Sequence, residues 1–204
     1  MRFLSGVNAW NSRGETGFFR SFIISACRVA SEPFVFFNSV KAEISLWPAF
    51  LFCFTVFLLA ALIRFAAYEL SGFIGASLFF GSTARLPEFL FGISASLIAP
   101  LKMLLITVLK ASVLHLCALL FGGRSSVGAT FRVVFYSSVS YFALLLPVAG
   151  VLVSLCWEMW LYMEGLHVVH DMPRSRSAWA VMFPALMVML LLILGLLTFF
   201  SLAA

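Results

Sequence analysis

Long apolar runs separated by short charged turns constrain this chain more than any other feature of its sequence. Five such runs cover residues 47–68, 89–121, 131–147, 149–167 and 179–200. A helix needs about 20 apolar residues to cross the ~30 Å hydrocarbon core of a bilayer. Hydrophobic residues make up 63% of the chain and charged residues 10%, which leaves too few polar side chains for a water-soluble surface. We therefore predict an all-α integral membrane protein whose residues 47–204 form five transmembrane helices.

For three of these runs, the path through the membrane needs a further prediction. The run 89–121 is too long for one perpendicular crossing, and Pro100 divides it. Either it forms one kinked, tilted helix that protrudes at its N-terminal end, which we favour, or a separate half-helix precedes the proline. The third and fourth runs are predicted to form a hairpin about Pro147 and Gly150. The Gly/Ser-rich loop 69–88 is expected to dip into the outer membrane interface.

Residues 1–46 are predicted to form an amphipathic cytoplasmic or interfacial segment that precedes the membrane domain. Pro33 ends its best helical stretch, because the residue before a proline disfavours helical geometry. Apolar side chains in that stretch fall on or near one helical face: Phe18, Phe19, Phe22, Ile23, Ala26 and Val29. Such a helix lies either in the membrane interface or on the protein's own cytoplasmic face.

Basic residues predict the orientation of the chain. With the N-terminus inside, the outer segments hold Arg85 alone, and Arg64 and Lys102 lie near the outer ends of their helices. The inner segments hold nine: Arg2, Arg13, Arg20, Arg28, Lys41, Arg124, Arg132, Arg174 and Arg176. The positive-inside rule then predicts a cytoplasmic N-terminus and a C-terminus on the opposite side. The net charge of +5 is explained by these flanks, so the expected partner is a lipid bilayer and not nucleic acid.

Two charged residues lie deep in apolar sequence and need partners. A charge at the bilayer centre costs ~2.5–3.5 kcal/mol on insertion scales, and it usually faces a partner or a wet cavity. Lys110 and Glu158 fall in the cytoplasmic halves of adjacent predicted helices. We therefore predict a Lys110–Glu158 contact, interpreted as an interhelix clamp, with a proton or cation relay as the alternative. Glu164 is placed in the headgroup layer.

The third helix is the most polar of the five. Its polar side chains are Tyr136, Ser137, Ser138, Ser140 and Tyr141. Small residues allow close helix approach and hydroxyls form hydrogen bonds across helix contacts. We interpret this polar face as a packing surface, with the lining of a polar groove as the alternative.

Chemistry-bearing motifs are weak throughout the chain. His167, His170 and Asp171 are weak metal-ligand candidates, since three such groups can hold a metal. They also end a helix at its predicted cytoplasmic end, where cations meet the helix dipole favourably. No cysteine pattern indicates a disulfide or zinc site, and no nucleophile set or phosphate-binding glycine loop is found. We predict no catalytic, cofactor or metal site, and a lipid-acting enzyme built on these residues is disfavoured.

Short motifs along about residues 30–200 resemble the bacterial branch of the YIP (Ypt/Rab-interacting protein) family. They are Pro33 with Phe36-Phe37 leading into Ser45-Leu46, His115-Leu116 running into Leu120–Gly123, Thr130–Val134, Tyr136–Ser138 with Tyr141, Pro147 and Gly150, Trp157 with Gly165-Leu166 and His170, and Arg174–Ala178. The Asp-Leu-Tyr-Gly-Pro motif of eukaryotic members is absent before the membrane domain.

The resemblance implies a five-helix, non-enzymatic protein of the bacterial cytoplasmic (inner) membrane. On this basis we expect a membrane scaffold or organiser, or a partner-binding subunit, that works with a membrane-protein partner or as a homo-oligomer. The alternative is a small transporter, channel or lipid-moving protein. That alternative would use a polar groove around Lys110, Glu158 and the serine-rich third helix.

Overall fold

A computed structural model describes Trp10 and residues 13–70, 86–146 and 148–203. Every regular element in these ranges is helical. Three short helices come first: α1 (Arg13–Thr16), α2 (Phe18–Ser31) and α3 (Pro33–Val40). The longer ones follow: α4 (Trp47–Arg64) with a π-helical end (Phe65–Leu70), α5 (Leu86–Leu120), α6 (Val127–Ser137) with a 3₁₀ extension (Ser138–Leu145), α7 (Gly150–Val169) and α8 (Arg174–Ala203). The centre of the predicted interfacial loop, Arg2 and Arg85 lie outside the described residues.

Four helices of the described ranges are long and apolar enough to cross a membrane. They cover Trp47–Ala67, Gly92–Leu120, Val127–Leu145 and Arg174–Leu196. Helix α7 has 20 residues, or ~30 Å at ~1.5 Å per residue, but it contains Glu158, Glu164 and His167. These side chains lower its hydropathy and separate it from the other four.

Helix α5 passes through Pro100 without interruption and has 35 residues. At ~1.5 Å per residue it measures roughly 50 Å, well beyond the hydrocarbon thickness of a bilayer. The region from 86 to 120 is therefore one helix.

Helix α7 packs against α3, α6, the 3₁₀ extension and α8. It packs tightly at Gly165, where an added Cβ would lie 2.3 Å from Val133 Cγ1 and 3.2 Å from Phe37 Cε2. Val133 and Phe37 are fully buried. A glycine is required at this crossing because any side chain would overlap a neighbour that has no free space.

The 3₁₀ extension changes the length of the α6 segment. A 3₁₀ helix rises ~2.0 Å per residue against ~1.5 Å in an α-helix, and long 3₁₀ stretches are uncommon. The 11 residues of α6 and the 8 of its extension therefore cover about 32 Å, enough to cross the hydrocarbon core. This segment is also the most deeply buried of the four apolar ones.

The N-terminal helices lie against the bundle. Trp10 is fully buried, and its indole Nε1–H donates to the Pro48 carbonyl at 2.5 Å. Helix α2 buries Ser21, Phe22, Ser25 and Val29. Large apolar side chains remain exposed on α2 and α3: Phe18, Phe19, Ile23, Phe34 and Val35. The predicted apolar stripe is thus split, with one part packed on the protein and the other left uncovered.

Candidate functional site

The structure brings Lys110 and Glu158 together in the middle of the bundle. Lys110 Nζ on α5 donates to Glu158 Oε1 on α7 at 2.6 Å. Each residue is ten or eleven positions before the end of its helix, hence ~15 Å from the same end of the bundle. The Glu158 side chain is 10% exposed and the Lys110 side chain 36%. The pair therefore joins α5 and α7 within the bundle.

Two tyrosines complete the surroundings of this pair. Tyr162, one turn after Glu158 on α7, donates its hydroxyl to the same Oε1 at 2.5 Å. Tyr141, on the 3₁₀ extension, has its hydroxyl 3.3 Å from Lys110 Nζ and its ring centroid 5.5 Å from that nitrogen. A buried carboxylate and ammonium are stable in apolar surroundings only with such additional partners. We call these four side chains the interior network.

The other polar residues of the α6 segment are buried between helices. Ser137 and Ser140 have no exposed surface, and their hydroxyls have no hydrogen-bond partner among the described residues. Ser138 donates to the Phe135 carbonyl at 2.7 Å within its own helix. Within the predicted polar face, Tyr141 lies within hydrogen-bond distance of a charged group, the ammonium of Lys110.

An apolar cleft of about 380 Å³ lies beside the interior network. It is formed by α4, α5 and the 3₁₀ extension, and Tyr141 is part of its wall. Arg64, exposed near the end of α4, also contributes to it. The remaining lining residues are aliphatic or aromatic: Phe57, Ala60, Ala61, Ala99, Met103, Leu144 and Leu145.

The three weak metal candidates have separate protein partners. His167 Nδ1 donates to the Met172 carbonyl at 2.5 Å, and Asp171 accepts two hydrogen bonds from Lys41. His170 is 2% exposed and points into the bundle. Within the described ranges, no group of three or more His, Cys, Asp and Glu side chains is placed to hold a metal.

His170 belongs to a chain of hydrogen bonds that the sequence did not suggest. The backbone N–H of Ser125 donates to His170 Nδ1 at 3.2 Å, so the ring proton is on Nε2. Nε2–H then donates to Thr130 Oγ1 at 2.8 Å, and the Thr130 hydroxyl donates to His115 Nδ1 at 2.9 Å. Burial, followed by the neighbouring His115, lowers the pKa of His170 to about 4. The ring is therefore neutral at physiological pH, as this hydrogen-bond pattern requires.

Glu164 takes part in a peripheral ion pair. Its carboxylate lies 3.1 Å from Nε and 3.2 Å from Nη2 of Arg174. The pair joins the end of α7 to the start of α8. Because the Arg174 side chain is 66% exposed, the pair contributes little to stability in comparison with the interior network.

The architecture defines the class: a helical protein with several membrane-spanning segments, joined by a paired charge in the bundle interior. A Yip1 domain model matches residues 28–196. The chain therefore belongs to the Yip1 family, a family of non-enzymatic membrane proteins. No curated protein and no solved structure matches the chain.

Proposed function

We propose that this Yip1-family chain is a membrane scaffold or partner-binding subunit with five crossings. The closed interior network carries the proposal. Lys110, Glu158, Tyr141 and Tyr162 satisfy one another by hydrogen bonds, as expected for a clamp that fixes the register of α5, α7 and the 3₁₀ extension. A relay would need a charged group with access to water or to a transported ion on both sides.

Helix α7 is the proposed fifth crossing. Its ~30 Å length matches the hydrocarbon core, and its Glu158 pairs with Lys110, ten residues before the end of α5. Lys41, Arg124 and Arg176 surround one cleft at one end of the bundle. By the positive-inside rule this end faces the cytoplasm, and the proposed location is a bacterial cytoplasmic membrane.

The number of crossings can be tested by the position of the C-terminus. The N-terminus is proposed to be cytoplasmic, so five crossings place the C-terminus outside and four place it inside. Alkaline phosphatase fused after Ala204 should be active and green fluorescent protein at the same site should be dark. The reverse result would remove α7 from the spanning helices. Fusions after Ser126, in the turn between α5 and α6, provide the cytoplasmic control.

The scaffold role predicts a defined assembly in native membrane patches. Patches extracted with a membrane-solubilising polymer, without detergent, should contain a complex heavier than one 22.5 kDa chain. The double substitution Lys110→Met/Glu158→Leu should leave this complex intact, because it removes both charges and keeps side-chain volume. A single chain surrounded only by lipid, in the wild type, would contradict the proposal.

A lipid-moving protein is the second candidate, and the cleft of about 380 Å³ favours it. The cleft combines an apolar lining with Arg64 near one end and Tyr141, which also contacts Lys110. Purified protein in vesicles with fluorescent phospholipid should then accelerate exchange between the leaflets. Ala61→Trp, which fills the cleft, should abolish the exchange. Absence of exchange with the wild-type protein would eliminate this candidate.

A further inference from the structure

A second cleft, of about 480 Å³, lies at the end of the bundle opposite to the one that holds Arg64. Three parts of the chain surround it: the end of α3, the turn between α5 and α6, and the segment from the end of α7 into α8. Its charged lining residues are Lys41, Arg124, Asp171 and Arg176. We call it the cationic cleft.

Two of the three cationic side chains that line the cleft, Arg124 and Arg176, form no ion pair among the described residues. Lys41 Nζ lies 2.5 and 2.6 Å from the carboxylate oxygens of Asp171, so these two charges neutralise each other. Among the described residues, neither Arg124 nor Arg176 forms an ion pair. The cleft therefore has a local excess of two positive charges on side chains that are free to bind an anion.

The wall of the cleft is held by buried contacts. Gly122 has φ +91°, and a Cβ there would lie 3.1 Å from Arg176 Nη1, so the guanidinium lies against the backbone of the turn. A Cβ at Gly123 would lie 2.7 Å from His170 Nδ1, which accepts the Ser125 N–H beside Arg124. The buried, neutral His170 ring thus fixes the turn that carries Arg124. Arginine side chains that are already held in position lose less conformational entropy when they bind a ligand than mobile surface arginines do.

The chemistry of the lining selects a phosphate group. Planar guanidinium groups donate paired hydrogen bonds to phosphate oxygens, and two of them match a group with several anionic oxygens. Trp179 lies one helical turn beyond Arg176 and is 55% exposed, and exposed tryptophans favour the headgroup region. Basic pockets between membrane helices at this depth bind anionic lipid head groups.

We propose that the cationic cleft binds the phosphate group of an anionic phospholipid from the leaflet at this end of the bundle. Arg124 and Arg176 bind its oxygens, while Lys41 remains with Asp171 and closes the side of the cleft. The acyl chains extend into the bilayer beside α8, whose apolar surface is largely exposed. This site does not depend on whether the chain acts as a scaffold or moves lipid.

The test uses the full chain purified in a mild, uncharged detergent and dioctanoyl phosphatidic acid as the probe, with binding measured by calorimetry. The wild type should bind this lipid in a one-to-one ratio and bind dioctanoyl phosphatidylcholine at least about tenfold more weakly. Arg124→Gln/Arg176→Gln should lower the affinity for phosphatidic acid by about tenfold or more, because it removes the charge-assisted hydrogen bonds. Arg20→Gln/Arg28→Gln, with the same loss of charge on α2, should bind like the wild type.

Three results would overturn the proposal. One is an equal loss of affinity in both double variants, which would indicate diffuse attraction to a basic surface. Another is absence of saturable binding by the wild type. The third is binding of inorganic phosphate alone as tight as that of the lipid, which would assign the cleft to a soluble phosphate compound. Should the Gln variant fail to fold, Arg124→Lys/Arg176→Lys keeps the charge and must still weaken binding by several-fold, since lysine lacks the paired donors.

Discussion

Lys110 and Glu158 lie inside the helix bundle, whereas Arg124 and Arg176 lie at its end. The two sets of charges differ in whether they have partners within the protein. The two interior charges form an ion pair with each other and hydrogen bonds with Tyr141 and Tyr162. The two arginines line an open cleft and have no ion-pair partner among the described residues. Charge that is already neutralised can hold helices together, but only uncommitted charge is available to a ligand.

The contrast follows from the surroundings of each set. An unpaired charge in hydrocarbon is costly. A charged side chain in the bundle interior therefore needs an oppositely charged partner and further hydrogen bonds in the folded protein. A guanidinium at the membrane surface keeps its hydration and needs no partner. Substitutions in the two regions should therefore affect different properties, namely stability in the interior and ligand affinity at the end.

The largest effect is expected from breaking the interior pair on one side. Glu158→Leu leaves the Lys110 ammonium with Tyr141 alone, and removal of one partner from a buried pair costs about 3–5 kcal/mol. The apparent Tm in mild detergent should fall accordingly. Lys110→Met/Glu158→Leu should recover most of the loss, because no isolated charge remains.

Glu164→Gln is the matched control for this experiment. Glu164 lies on the same helix, but its partner Arg174 is largely exposed, so the loss should stay below about 1 kcal/mol. If Glu158→Leu is no worse than Glu164→Gln, or if the double variant is as unstable as the single one, the interior pair does not act as a clamp.

His170, in the wall of the cationic cleft, predicts a pH dependence of stability. Its pKa is lowered to about 4 in the folded protein, against ~6.5 in an unfolded chain. Below pH 6.5 the unfolded chain takes up the proton first, so stability falls as the pH decreases from 6.5 to 4. The total loss from this residue is roughly 3 kcal/mol at ~1.4 kcal/mol per pH unit. Above pH 6.5 the contribution is constant.

The variant His170→Asn isolates this contribution. Asparagine has no titrating group in this range, and the Asp and Glu side chains are the same in both proteins. As the pH falls from 6.5 to 4, the apparent Tm of the wild type should therefore decrease more than that of the variant. Parallel curves would show that His170 is not held neutral by its burial, and the wall of the cationic cleft would lose its fixed element.

The sequence indicated the membrane class and the partner of each interior charge, because apolar run length and depth along a helix are local properties. It also contained the signal for Tyr162, which is four residues after Glu158 and therefore on the same helical face. The contact of Thr130 with His115 and His170 joins residues 15 and 40 positions apart. No spacing rule encodes such a contact. The sequence singled out Thr130 and His115 only as parts of family motifs, and His170 also as a weak metal-ligand candidate.

The N-terminal helices show a different limit of sequence reasoning. Periodicity predicted one apolar face on α2, but the bundle covers Ser21 and Ser25 together with Phe22 and leaves Phe19 exposed. Small side chains permit a closer approach to a neighbouring helix than phenylalanine does. Periodicity identifies an amphipathic helix, whereas shape decides which of its faces is packed against the bundle.

A smaller effect is expected from the tight crossing in the interior. Gly165→Ala places a Cβ 2.3 Å from Val133 Cγ1, and overpacking of this kind costs about 1–3 kcal/mol. The control Gly195→Ala, on the exposed face of α8, meets nothing within 4 Å and should not lower the apparent Tm. Val133→Ala should partly rescue Gly165→Ala. Equal stability of the two alanine variants would show that α7 can move away from α6, which would contradict a rigid interior.

The smallest effect on stability is expected from the arginines of the cationic cleft. Without added phospholipid, Arg124→Gln/Arg176→Gln should change the free energy of unfolding by no more than about 0.5 kcal/mol, since exposed substitutions away from packed or paired groups are usually neutral. Thermal unfolding of lipid-depleted protein measures this directly. A loss above about 1 kcal/mol would mean that the two arginines support the fold. The difference between a closed interior and an open, ligand-binding end would then disappear, because charges at both places would serve the same structural purpose.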